Sequence, residues 1–218
     1  MIDEKLIKTY SEKEEKLNVL THGFGLLLSV IALFLLIVKS IKSENTTIIT
    51  SFIIYGLSLI ILYAASTFYH AAKAPELRYK LNIFDHASIY VLIAGTYTPF
   101  TLVTLEGWVG WTVFGVSWGL ALIGVILKLF YTGKYDRIST IAYVLMGWLI
   151  VFAIKPLLAN LSYEGLLWLF SGGIFYTVGA ILYSMNKMKY NHAIFHFFVL
   201  LGSISHFMAV YYHVLPKK

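Results

Sequence analysis

Three histidines in this 218-residue chain have the spacing of metal ligands. His70 closes the second of the chain's apolar runs, and His192 and His196 open the last run, four residues apart. Residues four apart share one face of a helix, so His192 and His196 can bind one ion together. Three imidazoles that leave a fourth position open are the ligand set of a catalytic zinc site. We therefore predict a zinc site formed by His70, His192 and His196.

Two other polar side chains could supply chemistry beside such an ion. Asp85 opens the third apolar run in the stretch FDHASIY, where the dipole of a helix N-terminus stabilises an anion. Its carboxylate could hold a water molecule next to the metal and accept its proton. Ser66, one turn before His70 in STFYH, could orient that water or stabilise an oxyanion. Asp85 and Ser66 are therefore the predicted catalytic residues.

The remaining histidines are expected to play other parts. His86 lies on a different face of its helix from its acidic neighbour, and His22 begins the first apolar run. Both would support the ligands rather than bind the ion. His206 lies more than two turns beyond His196, and we expect a helix-to-helix hydrogen bond there, with a substrate contact as the alternative. His213 lies at the opposite edge of the last run, where amphipathic side chains gather.

The elements that must position these residues are membrane-spanning helices. Of the residues, 59% are hydrophobic and 13% are charged, and the mean hydropathy is +0.76, whereas soluble domains average about 25% charged residues. Seven apolar runs approach the ~20 residues that a spanning helix needs. They are 19–38, 46–69, 84–105, 108–130, 138–154, 161–185 and 193–215. The predicted fold class is all-α, a seven-transmembrane helical bundle.

Other features of the sequence narrow the class of protein. The chain has no cysteine, which excludes disulfides and thiolate metal ligands. Lysines in the loops account for the net charge of +6, so no nucleic-acid partner is expected. The first apolar run is long and lacks a small-residue cleavage site, so we expect no cleaved signal peptide. We predict a short polar cytoplasmic N-terminal segment over residues 1–17 and one transmembrane domain with an intramembrane zinc site over residues 18–218.

Basic residues indicate how the bundle is oriented. One set of alternate connections holds twelve lysines and arginines, and the other set holds five. The richer set comprises Lys5, Lys8, Lys13, Lys16, Lys73, Arg78, Lys80, Lys128, Lys134, Arg137, Lys187 and Lys189. Because cytoplasmic connections attract the excess of positive charge, we predict a cytoplasmic N-terminus and a C-terminus outside. The expected location is the cell membrane, inner or plasma, as a multi-pass protein.

This topology brings the predicted site residues to one edge of the membrane. The second span ends at His70 on the cytoplasmic side, and the third and seventh spans begin there. At 1.5 Å of rise per residue, the polar residues occupy a layer roughly 10 Å thick. A single histidine at such an edge more often caps a helix or faces lipid headgroups. Ionisable residues are rare at membrane depth, however, and the convergence of the whole set favours metal binding.

Three ordered motifs give the chain a family resemblance. The stretch EKLNVLTH, from Glu15 to His22, fits a first motif of the form E-x-x-N-x-x-[ST]-H. The stretch STFYH followed by Asp85 in the next span fits a second motif, and HAIFH in the last span fits a third. In these motifs the sequence resembles the bacterial hemolysin III family, within the progestin and adipoQ receptor (PAQR) superfamily.

The resemblance implies a seven-helix bundle with a cytoplasmic N-terminus and zinc held by three histidines near the cytoplasmic face. The matching ligands are His70, His192 and His196, and Asp85 and Ser66 match the water-holding positions. The residues that match the first motif are Glu15, Asn18, Thr21 and His22. Eukaryotic members are hormone receptors whose zinc site resembles that of lipid-amide hydrolases, and bacterial members are named for a reported haemolytic activity. This sequence lacks the receptors' large cytoplasmic N-terminal region, which argues against receptor signalling.

Three functions follow as alternatives. The first is a zinc-dependent hydrolase of lipid amides, similar to a ceramidase, or a role in membrane homeostasis. The second is a membrane-lytic toxin, for which no span shows a continuous polar stripe able to line a pore. The third is a receptor-like sensor in which zinc is structural. The expected partners are membrane lipids, including a lipid or fatty-acid ligand within the bundle.

Overall fold

Seven helices in the described part of the chain are long and apolar enough to cross a membrane. The computed structural model describes residues 9–105, 107–185 and 187–215. The helices are α1 (Glu12–Ile41), α2 (Thr46–Ala71), α3 (Pro75–Thr104), α4 (Gly107–Tyr131), α5 (Asp136–Asn160), α6 (Tyr163–Ser184) and α7 (Asn191–Val214). The predicted all-α seven-span bundle is confirmed. Residues 1–8 of the predicted N-terminal segment and residues 216–218 lie outside the described residues.

Two helices begin well before the apolar runs that predict them. Helix α1 starts at Glu12 because Ser11 caps it, its Oγ accepting from the Glu14 N–H at 3.3 Å. Helix α3 starts at Pro75, which suits the first turn of a helix because its missing N–H would have no partner there. Apolar runs thus mark the embedded part of each helix, and the capping residues mark its true start.

Helix α3 is the central element of the bundle. The most apolar window of α3 is 78% buried, against 22% for those of α4 and α5. It packs against α2, α4 and α5, while α1 packs against α2 and α7. The outer surface instead carries large exposed apolar side chains such as Phe152 and Phe130, as lipid contact requires. A residue of α3 such as Asp85 is therefore held deep inside the bundle.

Helix α5 is interrupted, whereas its apolar run predicts one continuous span. It is α-helical over Asp136–Gly147, 3₁₀-helical over Leu149–Ala153 and α-helical again over Ile154–Asn160. The hydroxyl of Tyr97 in α3 donates to Gly147 O at 2.8 Å and accepts from the Ile150 N–H at 3.0 Å. This pairing satisfies backbone groups that would otherwise be costly within a membrane.

Candidate metal centre

The three predicted ligands meet at one point, although they come from opposite ends of the sequence. His70 lies in the last turn of α2, and His192 and His196 lie in the first turns of α7. One ring nitrogen from each lies within 4.8 Å of the others, and all three side chains are buried. We call the end of the bundle that holds them the histidine end. This group could hold a metal ion.

The spacing of the ligand atoms fits a small tetrahedral ion. Nε2 of His70 and Nε2 of His192 lie 3.0 Å apart. With metal–nitrogen bonds of about 2.0–2.1 Å, two ligands of a tetrahedral ion stand about 3.3 Å apart. The ring of His196 lies close to both, with centroid distances of 4.9 Å to His70 and 4.5 Å to His192. The three imidazoles therefore converge on one space, as binding of a shared ion requires.

His70 is oriented by a charged pair on its far side. Its Nδ1 lies 2.6 Å from Oε2 of Glu15 in α1, so an Nδ1–H donates to the carboxylate and Nε2 stays bare for a metal. The other oxygen of Glu15 accepts from Arg78 of α3. Nδ2 of Asn18, a fully buried side chain, lies 3.3 Å from the same Nδ1. Glu15 of the first motif therefore fixes the tautomer of this ligand.

His192 has a neutral partner instead of a carboxylate. Its Nδ1 lies 2.9 Å from the hydroxyl of Tyr10, just before α1. Burial raises the pKa of Tyr10, so the hydroxyl stays protonated. A tyrosine hydroxyl can accept from Nδ1–H, and this tautomer leaves Nε2 of His192 bare for a metal. The backbone N–H of His192 donates to Oε1 of Glu14 at 3.3 Å, which ties the start of α7 to α1.

The turn before α7 sets the position of His192. Tyr190 has a φ of 57°, in the left-handed region that non-glycine residues rarely adopt. Asn191 donates through Nδ2 to Tyr183 O at 2.9 Å and so anchors this turn to α6. Such strain persists only where surrounding contacts fix the backbone, and here it aims the first turn of α7 at the other ligands.

His22 supports His196 by stacking. The two rings are nearly parallel, with an interplanar angle of 8° and centroids 3.5 Å apart. Both ring nitrogens of His22 are buried without a hydrogen-bond partner among the described residues. Thr21 instead uses its hydroxyl within α1, donating to Leu17 O at 2.7 Å. Of the first motif, Glu15, Asn18 and His22 thus contact the ligands.

A cavity of about 140 Å³ opens from the histidine cluster into the bundle. Ser66 and Asp85 line it together with His192 and His196. The Oγ atom of Ser66 is buried and has no hydrogen-bond partner among the described residues. The walls beyond are mainly apolar and include Leu92, Val144, Phe195 and Val199. The predicted catalytic residues therefore share one chamber with the histidines.

The other histidines lie apart from the ligand cluster. His86 also lines the cavity, and its Nδ1 lies 2.9 Å from Asn82 O, one turn back on α3. His206 donates through Nε2 to Leu169 O of α6 at 3.1 Å, which is the expected helix-to-helix hydrogen bond. His213, at the end opposite the histidine cluster, lies 2.7 Å from Ser162 Oγ.

The sequence alone did not single out several residues that complete the site. Tyr10, Glu14 and Arg78 contact the ligands or their partners, yet none belongs to a metal-ligand pattern. The one local signal was the capping sequence from Ser11 to Glu14, which fixes the start of α1. From the sequence, Arg78 is only one of the basic residues that indicate orientation.

The fold and the cluster define a seven-helix integral membrane protein with buried histidines that could hold a metal ion. The family model described as Haemolysin-III related matches residues 10–207. The chain belongs to this family, which is part of the PAQR superfamily. It is a multi-pass membrane protein, and members of its family typically reside in the plasma membrane.

Named relatives resemble the chain over nearly its whole length. Hemolysin-3 of Bacillus cereus is 46% identical over 204 residues, 94% of this chain and 93% of the relative. The Hemolysin-3 homolog of Bacillus subtilis is 45% identical over 204 residues, with 94% and 96% covered. The human Monocyte to macrophage differentiation factor is 28% identical over 207 residues, with 91% and 83% covered.

The contact between Glu15 and His70 yields a testable prediction. Replacing Glu15 with Gln removes the charge that holds Nδ1–H, and the loss of such a partner typically weakens a metal site about 10- to 100-fold. We expect purified Glu15→Gln protein to lose its metal at a correspondingly lower chelator concentration, measured by elemental analysis. Glu12→Gln is the matched control, because Glu12 is exposed and, within the described part of the chain, forms its ion pair with exposed Lys16. Equal metal retention in the two variants would contradict the role of Glu15.

Proposed function

We propose that this protein is a zinc-dependent hydrolase that cleaves lipid amides within the membrane, as a ceramidase does. The observation that carries the proposal is the cavity that Asp85 and Ser66 share with His192 and His196. Two of the three clustered imidazoles, those of His192 and His196, line a mainly apolar cavity together with the carboxylate of Asp85 and the hydroxyl of Ser66. A lipid could enter with its polar group at the histidines and its tail along those walls.

Zinc is the ion that this donor set suits best. Imidazole nitrogens favour zinc, copper, iron and nickel over the hard cations, and zinc accepts three protein ligands with one open tetrahedral position. His70, His192 and His196 would hold it through ring nitrogens. When bound, zinc would supply a Lewis acid and lower the pKa of a water molecule.

Asp85 and Ser66 have distinct parts in this proposal. The Asp85 carboxylate would accept a proton from the attacking water and return it to the amine that leaves. The Ser66 hydroxyl, buried without a hydrogen-bond partner among the described residues, would hold that water or donate to the oxygen of the amide carbonyl. Both residues lie on helices rather than loops, which fixes their positions relative to the ligands.

Replacing Asp85 with Asn distinguishes a role of this residue in catalysis from a role in metal binding. We expect Asp85→Asn protein to keep its zinc but to hydrolyse a short-chain fluorescent ceramide at least about a hundredfold more slowly, because a general base is lost. Glu76→Gln is the matched control, since Glu76 is an exposed carboxylate on the same helix. The measurements are zinc content and release of the labelled fatty acid by protein in lipid nanodiscs.

Several outcomes would count against the proposal. Zinc-loaded wild-type protein that cleaves no member of a panel of lipid amides would contradict it. Unfolding of a His192→Ala variant, without a separate effect of Asp85→Asn, would instead indicate a structural ion and the sensor-like alternative. Chelation and re-addition of zinc distinguish the two cases, because a structural ion would change the melting temperature most.

A second candidate function is membrane lysis, which the name of the Bacillus cereus relative favours. We expect any lysis of erythrocytes by this protein to fall when His70, His192 and His196 are all replaced by Ala, because the lipid chemistry proposed above would then be lost. The measurement is the release of haemoglobin from erythrocytes mixed with vesicles that carry the wild-type or the variant protein. Lysis that is unchanged in a folded triple variant would favour a cytolysin that does not need the metal.

We infer from the basic residues that the N-terminus lies in the cytoplasm. The chain has no cysteine, so single cysteines report topology without background. We expect Lys134→Cys, between α4 and α5, to react with a membrane-impermeant maleimide only after the cells are permeabilised. Lys42→Cys, after α1, should react in intact cells. Both positions are exposed, and the reverse pattern of labelling would overturn this orientation.

A further inference from the structure

The cavity at the histidines has a smaller neighbour deeper in the bundle. The neighbour has a volume of about 40 Å³ and is also lined by Phe100, Leu169 and Phe170. These residues lie farther along α3 and α6 from the histidine end. We call the larger space the main cavity and the smaller one the end cavity. Six residues line both and form what we call the neck: Thr96, Tyr97, Gly147, Trp148, Gly173 and His206.

His206 is held firmly in its place in the neck. Its Nε2–H donates to Leu169 O at 3.1 Å. Its ring lies directly over Gly172, where an added Cβ atom would come within 2.2 Å of the imidazole. The ring of Tyr176 lies beside it, at a centroid distance of 5.3 Å. Since any other residue at position 172 would displace the imidazole, α6 is built to accept the ring at this position.

The opposite side of the neck is fixed in the same way. Trp148 lies at the break in α5, and its indole N–H donates to Thr177 Oγ1 of α6 at 3.0 Å. Tyr97 is held by its hydrogen bonds to the backbone of α5. Gly173 faces the indole, and an added Cβ there would lie 3.4 Å from Trp148. The neck is therefore made of side chains with fixed positions.

The main cavity has the dimensions of a slot for one chain. His206 lies ten residues beyond His196 on the same helix, which corresponds to roughly 15 Å at 1.5 Å per residue. The mainly apolar walls between them suit a tail rather than a second polar group. A tail whose head lies at the histidines would reach the neck and meet the imidazole.

We propose that His206 and Gly173 set the length of the acyl chain that the protein accepts. The ligand class is a lipid amide or fatty acid whose carbonyl group lies at the histidine cluster and whose acyl chain enters the main cavity. Tails that end before the neck fit the main cavity, and longer tails are stopped by the imidazole of His206. The end cavity would take further methylenes once that ring is removed. This inference rests on the proposed function, because it assumes that a lipid tail enters the main cavity.

The test is a chain-length series of saturated fatty acids that displace a fluorescent fatty acid from protein in nanodiscs. Each buried methylene contributes about 0.8 kcal/mol, or about fourfold in affinity. We expect the wild-type affinity to rise with chain length and then level off. In His206→Ala the rise should continue for at least two more methylenes, a gain of about sixteenfold for the longer chain. In Gly173→Leu, which fills the neck, the affinity should level off at a shorter chain.

Two further variants separate chain length from general loss of stability. In His206→Gln, a side-chain amide can still donate to Leu169 O and occupy the neck, so the wild-type length profile should return. Ile204→Ala, at a partly exposed position on the same helix, is the matched control and should leave the profile unchanged. A purely structural His206 would weaken binding of every chain equally in His206→Ala.

The outcomes distinguish this inference from the function on which it rests. Wild-type protein that binds no fatty acid contradicts both the lipid ligand and the neck. Wild-type protein that binds fatty acids with the same length profile as His206→Ala and Gly173→Leu overturns the neck alone and leaves the lipid site standing. Opposite shifts in the two variants establish the neck as the determinant of chain length.

Discussion

The approach of two imidazole nitrogens, Nε2 of His70 and Nε2 of His192, is the contact on which the organisation of the histidine end depends. It joins α2 to α7, two helices more than a hundred residues apart in the sequence. Buried polar groups are costly unless each finds a partner. Here Nδ1 of His70 contacts Glu15 of α1, and Nδ1 of His192 contacts Tyr10, just before α1. The first helix therefore contributes no ligand, yet its Glu15 fixes which nitrogen of His70 is available.

The contacts that support His70 and His192 differ in charge. Glu15 is shared between His70 and Arg78, so a partly buried anion has two cationic or polar neighbours. A buried ion pair is kept stable only when its remaining groups are also hydrogen-bonded, and one guanidinium nitrogen of Arg78 donates to Tyr69 O and Ala72 O at the end of α2. His192 has an uncharged partner instead. The site thus holds one ligand with an anionic partner and one with a neutral partner.

The sequence predicted the seven spans and the histidine group because both arise from strong local rules. A span needs a long apolar run, and ligands need imidazoles at helical spacing. Tyr10 and Arg78 could not be found in this way, because tyrosine and arginine have many uses and only tertiary packing brings these two to the cluster. The break in α5 could not be predicted either, since Gly147 and Trp148 lie within an uninterrupted apolar run. The hydroxyl that pairs with the backbone at the break belongs to Tyr97, fifty residues earlier.

That single hydroxyl has a mechanical consequence. Because Tyr97 both donates to Gly147 O and accepts from the Ile150 N–H, α5 and α3 are joined at one atom on each side of the interruption. A tilt of either half of α5 away from α3 would break the bond to that half and leave a bare peptide group in hydrocarbon. The cavity wall on this side is therefore fastened to α3 both before and after the break in α5.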